Sequence, residues 1–221
     1  MGGVATGKFD LSAFSFQDMT RCGQDIETLC TGAADLEDAS QRIARFFFEA
    51  FRDSDSGERS CVLSRCFCVK EYGGMLSRCR QAAQDALGMS IPSTTKFLTL
   101  MGTAGLEPEW CGWEGSRGHK VIPLADEGFV SGIPMISEMI RQFGLDVAEL
   151  LSPKAERYTD TERDSFSIFF IENAQGSPYI PAQDDFVIPY GVQSVLGFGS
   201  QFPTGNIFVS LLFLRTPISR Q

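Results

Sequence analysis

Six side chains in this sequence combine useful chemistry with positions from which they could surround a small molecule: Trp110, Trp113, Arg117, His119, Tyr179 and Tyr190. Aromatic walls supply apolar area, and a guanidinium offers a planar fork to a carboxylate or phosphate, the usual makeup of a small-molecule pocket. Each also has a plainer reading. Both tryptophans lie in the Gly-rich segment GLEPEWCGWEGSRG, residues 105–118, where large aromatics fold back over apolar surface and plug a core. Arg117 can pair with an acidic surface residue, and buried tyrosines need no ligand to account for them. His119 is the only histidine. It is either an axial ligand to a haem or metal or a hydrogen-bonded structural residue ahead of a short apolar strand. Glu107, Glu109 and Glu114 read as solvated loop charges.

Seven cysteines, an odd number, make a disulfide framework a poor reading. Cys61, Cys66 and Cys68, with Cys79 and Cys111, lack the paired spacing of zinc sites, so buried reduced thiols are expected. Gly197 and Gly199 fall within a strand pattern rather than between a strand and a helix start, so they form no phosphate cradle.

The elements that must position these groups follow from periodicity. Met19, Cys22, Ile26, Leu29 and Cys30 mark one face of a helix that ends near Gly32. A second helix carries Leu36, Ala39, Ile43, Phe46, Phe47, Ala50 and Phe51 on one wide face, with Asp35 placed to cap it. The first dozen residues are expected to fray. Residues 60–70 alternate as a strand, with Cys61, Leu63, Phe67 and Val69 on one face and Val62, Cys66 and Cys68 on the other. Arg65 shares the first face, so that face meets polar groups or a strand edge. A helix over 76–87 stops at Gly88, and a strand over 96–104 puts Phe97, Thr99, Met101 and Thr103 together, a half-polar face able to line a pocket.

Residues 119–124 form a short apolar piece, 133–143 an amphipathic helix, 146–151 another turn or two, and 152–164 an exposed connection. A strand over 165–171 precedes a hairpin, 193–199 and 206–215, that turns at Pro203, Thr204 and Gly205. Its second strand is apolar on both faces and is therefore central, with cover on each side. The order describes an α+β fold with a sheet of about five or six antiparallel strands, helices on one face and a pocket-forming insertion on the other.

At 221 residues and 43% hydrophobic content the chain can bury one large core. A net charge of −9 without basic clusters argues against nucleic-acid and membrane-surface partners. No apolar run reaches the length of a membrane span and the first residues lack a signal-peptide core, so the reading is soluble and cytoplasmic.

Several long strings resemble the GAF superfamily, and more closely the GAF-like sensory modules that precede PAS and histidine-kinase modules in bacterial signalling proteins. They are FLTLMGTAGLEPEW at 97–110, SRGHKVIPL at 116–124, IRQFGLDV at 140–147, GSPYIPAQDDFVIPYGVQSVLGFG at 176–199 and TPI at 216–218. The likeness covers 36–218, leaving 1–35 as an N-terminal extension with an amphipathic helix. It implies a non-catalytic regulatory domain, part of a two-component or related system, that binds an unidentified small molecule or transmits a conformational change. It also implies an output kinase or other signalling domain, expected either as a part cut away from these residues or in a partner. Homodimerisation is expected through 18–51, whose apolar helix face exceeds the core's needs. Two alternatives stay open: a thiol redox enzyme similar to the GAF-fold reductases of free methionine sulfoxide, and a haem or metal sensor through His119.

Overall fold

The structure is a computed structural model that describes residues 8–88, 90–116, 118–151, 167–202 and 206–218, without the side chains of Glu149 and Ser167. Arg117, the connection at 152–164 and the turn at 203–205 lie outside the described residues.

Helix α1 (Phe16–Cys30) begins at Ser15, whose hydroxyl accepts from the Asp18 N–H while the Asp18 carboxylate accepts from the Ser15 N–H. This reciprocal box satisfies donors that a helix start leaves open. Helix α2 (Leu36–Ala50) is capped by Asp35, which accepts from the Asp38 N–H at 2.8 Å. Strand β1 (Cys61–Glu71) leads to α3 (Ser77–Leu87), closed by Gly88 at φ 62°, and then to β2 (Lys96–Gly105). The inserted part comprises a short turn α4 (Gly112–Gly115), strand β3 (Val121–Leu124) and helices α5 (Glu127–Ser131), α6 (Pro134–Gln142) and α7 (Val147–Leu151). Strand β4 (Ser167–Ile171) follows. A π turn (Gln183–Val187) then runs into α8 (Ile188–Tyr190), and the chain closes with β5 (Ser194–Gln201) and β6 (Ile207–Leu214).

The six strands form one open sheet in the order β3-β2-β1-β6-β5-β4, with every neighbouring pair antiparallel. With helices packed around it this is an α+β fold, compatible with a GAF-like architecture. Strand β6 sits beside β1 near the middle, as its two apolar faces require. Its outer residues Leu212 and Leu214 meet Phe46, Phe47 and Phe51 of the α2 side, and its inner residues Val209, Leu211 and Phe213 meet the insertion.

Two register slips correct the alternation read from the sequence. Between Cys61 and Leu63 the pairing of β1 with β6 shifts, so Cys61 packs under α2 while Val62 joins Leu63 on the inner face. At Cys66/Phe67 the pairing with β2 shifts and skips Met101, which separates Thr103 from Thr99 and Phe97. One extra residue turns every later side chain to the opposite face. Thr103 thereby comes opposite Arg65 on the inner face, and Gly102 turns outward beneath Ser40 of α2.

The N-terminal segment is also tied down rather than frayed from residue 8 onward. Phe9 is 1% exposed among Phe46, Phe51 and Phe14, and its backbone exchanges hydrogen bonds with Ala50 and Arg52. The α2 face is consumed by the chain's own sheet, since Phe46, Phe47 and Ala50 are buried there, each Phe contributing about 1.5–3 kcal/mol by leaving water.

Two glutamines brace strand edges. Gln41 of α2 donates to the Thr103 carbonyl (2.9 Å) and accepts from the Thr103 N–H (3.1 Å). Gln142 of α6 does the same for Phe170 of β4, at 3.1 and 2.9 Å. Each amide imitates a neighbouring strand, which satisfies backbone groups that an edge leaves open.

Candidate functional site

The inner face of the sheet carries a charge that its neighbours do not match. Arg65 stands on β1 between Leu63 and Phe67, opposite Thr103 and Leu211, and is only 7% exposed. Its Nη2 donates to the Ser116 hydroxyl at 3.3 Å, its Nε has no partner, and no carboxylate among the described residues pairs with it. Burial lowers its pKa to about 10, so the guanidinium remains charged at neutral pH. Buried charge without a counter-charge is costly, which makes this group the feature of the interior that most needs a reason.

The segment that covers Arg65 runs from α4 into β3. Ser116 is itself buried, and its own proton has no acceptor among the described residues. Gly118 and His119 both take left-handed backbone, at φ 67° and 53°, a conformation that costs a non-glycine residue energy. His119 as a residue stays exposed. The protein atoms around its ring still hold the imidazole below its ordinary pKa, burial first and the Arg65 guanidinium second.

The five candidate residues among the described ones do not form one cluster. Trp110 and Tyr190 are neighbours, with ring centroids 4.7 Å apart, and Phe186 joins them at 5.4 Å from Trp110. The Tyr190 hydroxyl donates to Glu107 at 3.0 Å, and Thr103 donates to the Trp110 carbonyl at 2.8 Å. Gly105 lets the Trp110 ring lie on β2, since a Cβ there would come within 2.9 Å of it. Trp113 points elsewhere. It is held between Arg78 and Lys120, whose charges sit 4.7 and 4.5 Å from its ring, and its buried Nε1 has no partner. Tyr179 lies near α6 and helps Arg141 and Gln142, which donate to Glu138, to lower the pKa of that carboxylate. His119 feels the charge of Arg65. Of the glutamates read as solvated, Glu107 accepts from Tyr190, while Glu114 remains 82% exposed, 3.7 Å from Arg78.

Arg65 and Ser116 were missed as a pair. The signal for Arg65 was its place on an apolar strand face, whereas no periodicity marks Ser116 in its Gly-rich loop. An open groove of about 860 Å³ between α2 and α4, lined by Glu37, Phe48, Arg78 and Trp113 among others, does not include Arg65.

Six of the thiols are pushed toward their protonated form. Burial raises the pKa of Cys66 to about 12 and of Cys22 to about 11, and raises Cys30, Cys61, Cys68 and Cys79 as well. That is the reverse of an activated nucleophile. Among the described residues no three His, Cys, Asp or Glu side chains are grouped to hold a metal ion, and no helix is long and apolar enough to cross a membrane. No protein-family model matches this sequence, and no curated protein matches it.

Proposed function

We propose that this chain is a GAF-like sensory domain that binds a small molecule on the inner face of its sheet and carries out no reaction of its own. The observation behind the reading is Arg65: a charged group buried without a counter-charge among the described residues, on the sheet face that irregular segments, rather than long helices, cover. A folded domain retains such a cost when a partner of opposite charge supplies the missing contacts. Occupancy would favour one of two arrangements of the 105–120 segment, shifting a population rather than driving chemistry. The signal would pass to an output kinase or similar domain of a bacterial signalling protein. Pairing of two copies belongs to the same reading through α1, where Phe16 and Met19 stand 78% and 53% exposed.

Native mass spectrometry of the protein purified under non-denaturing conditions, beside a thermal-shift screen of small metabolites, tests this reading. The expected result is a stoichiometric adduct or a saturable rise in melting temperature. A bare chain that no compound stabilises would overturn it.

A further inference from the structure

We propose that the site at Arg65 is built for a monocarboxylate with an apolar body, gripped by the Arg65 guanidinium fork and by the hydroxyl of Ser116. This inference rests on the sensory reading above and names the chemical class of its ligand.

Three observations converge on it. The first is donor capacity. A guanidinium offers five N–H groups, and Arg65 spends one, from Nη2, on Ser116 while its Nε–H is unmatched. A carboxylate accepts two parallel N–H bonds from such a fork, and the free proton of Ser116 supplies a third. The second is charge. Among the described residues the other cations of the neighbourhood are engaged, Lys120 and Arg78 on the Trp113 ring and Arg78 also on Glu37. One buried positive charge balances one negative charge; a phosphate dianion would leave a second negative charge without a counter-charge among the described residues. The third is the surface beside the fork. Leu63 and Phe67 flank Arg65 along β1 and Leu211 lies opposite on β6, so a carboxylate entering here brings its hydrocarbon part against hydrocarbon.

Ser116 is the partner that Arg65 has in this structure. At 3.3 Å its hydroxyl makes a long, neutral contact with the guanidinium, weaker than the charge-assisted pair a carboxylate would form. Binding therefore improves the contacts of Arg65 without needing to break a salt bridge first.

The experiment follows the Arg side-chain Nε–Hε resonances of the ¹⁵N-labelled full chain while sodium acetate, butyrate or benzoate is added. Benzamide, sodium phosphate and sodium chloride serve as controls at matched ionic strength. The expected result is a saturable shift of the Arg65 resonance with at least one carboxylate and none with benzamide or chloride. Arg65→Met should then weaken that binding about a hundredfold, the loss of a charge-assisted bidentate contact. It should also raise the melting temperature of the ligand-free protein by about 2–4 °C, because an unpaired buried charge has been removed. A residue kept for stability would give the opposite sign. Arg65→Lys retains the charge without the planar fork and should bind at least about tenfold more weakly than wild type, so the inference does not depend on the Met variant folding. Silence of the Arg65 resonance to all three carboxylates, or an equal response to benzamide, would overturn the proposal. A response to phosphate alone would overturn the carboxylate class and leave the sensory reading standing. An adduct by mass spectrometry that persists in both variants would do the same.

Discussion

The two faces of the sheet are covered in different ways. On the outer face α2 lies so close that the backbone of Ser40 and Gln41 occupies the space over Gly102, and the polar groups there are neutral hydroxyls and thiols such as Ser64, Cys66 and Ser210. On the inner face short helices and irregular chain provide the cover, the close contacts are made by side chains such as Trp110 over Gly105, and a full charge is enclosed at Arg65. Where a regular helix lies this close, backbone seals the sheet. Loops seal it with side chains, which can yield. The inner face is therefore where side chains can be displaced, and the outer face is where backbone fixes the packing.

Two glycines on the same strand put this difference to the most direct test. A Cβ at Gly102 would come 2.3 Å from the Ser40 carbonyl oxygen and 2.6 Å from the Gln41 nitrogen, atoms that move only if α2 moves. Gly102→Ala should cost about 3 kcal/mol or more in urea denaturation, at the upper end for overpacking. At Gly105 the obstacles are the Trp110 ring and Leu63 Cδ1, at 2.9 and 3.1 Å, so Gly105→Ala should cost about 1 kcal/mol and should change tryptophan fluorescence. Equal costs would erase the distinction between a rigid and a yielding face.

The glutamine braces should show where the faces are alike. Gln41→Leu removes two hydrogen bonds to the Thr103 backbone, and Gln142→Leu removes two to Phe170. Each should cost about 1–3 kcal/mol, the price of leaving backbone groups unpaired at a covered edge. Faster amide exchange at Thr103 in one variant and Phe170 in the other would locate the loss in the braced strand. A cost at Gln41 alone would mean that the inner cover does not hold its edge.

The smallest effect is electrostatic and confined to the inner face. His119 is the only histidine, so its titration can be followed by NMR without ambiguity. Burial and the Arg65 guanidinium both hold its pKa below the ordinary 6.5. A folded-state value below the unfolded one favours folding fully above pH 6.5, and that contribution is lost as the pH falls through the folded value. Arg65→Met removes one cause and should move the His119 midpoint upward, leaving the variant less sensitive to mild acid than wild type. An unmoved midpoint would show that Arg65 and His119 do not sense each other.

What the sequence determined by itself is the secondary structure and the pairing of apolar faces. The spacing from Leu36 to Phe51 can bury only as a helix on one side of a sheet, Asp35 caps it as expected, and the two-sided apolar pattern of 206–215 needs the centre of the sheet. These features rest on local geometry, where the 3.6- and 2-residue periods of side-chain direction are set by the backbone. Tertiary structure alone decided which side chains meet. The skipped Met101 reversed the faces of β2 beyond it and put Thr103 opposite Arg65, and the same alternation rule that finds a strand cannot see a bulge. Phe9, from a stretch with no periodicity, became core because α2 and β6 left a space of its shape. Trp110 and Trp113, three positions apart in the chain, face different partners because Gly112, at φ 74°, turns the backbone between them. Arg65 and Ser116 are 51 residues apart. Their meeting depends on how an irregular loop closes over a sheet face, a long-range outcome that no local pattern encodes.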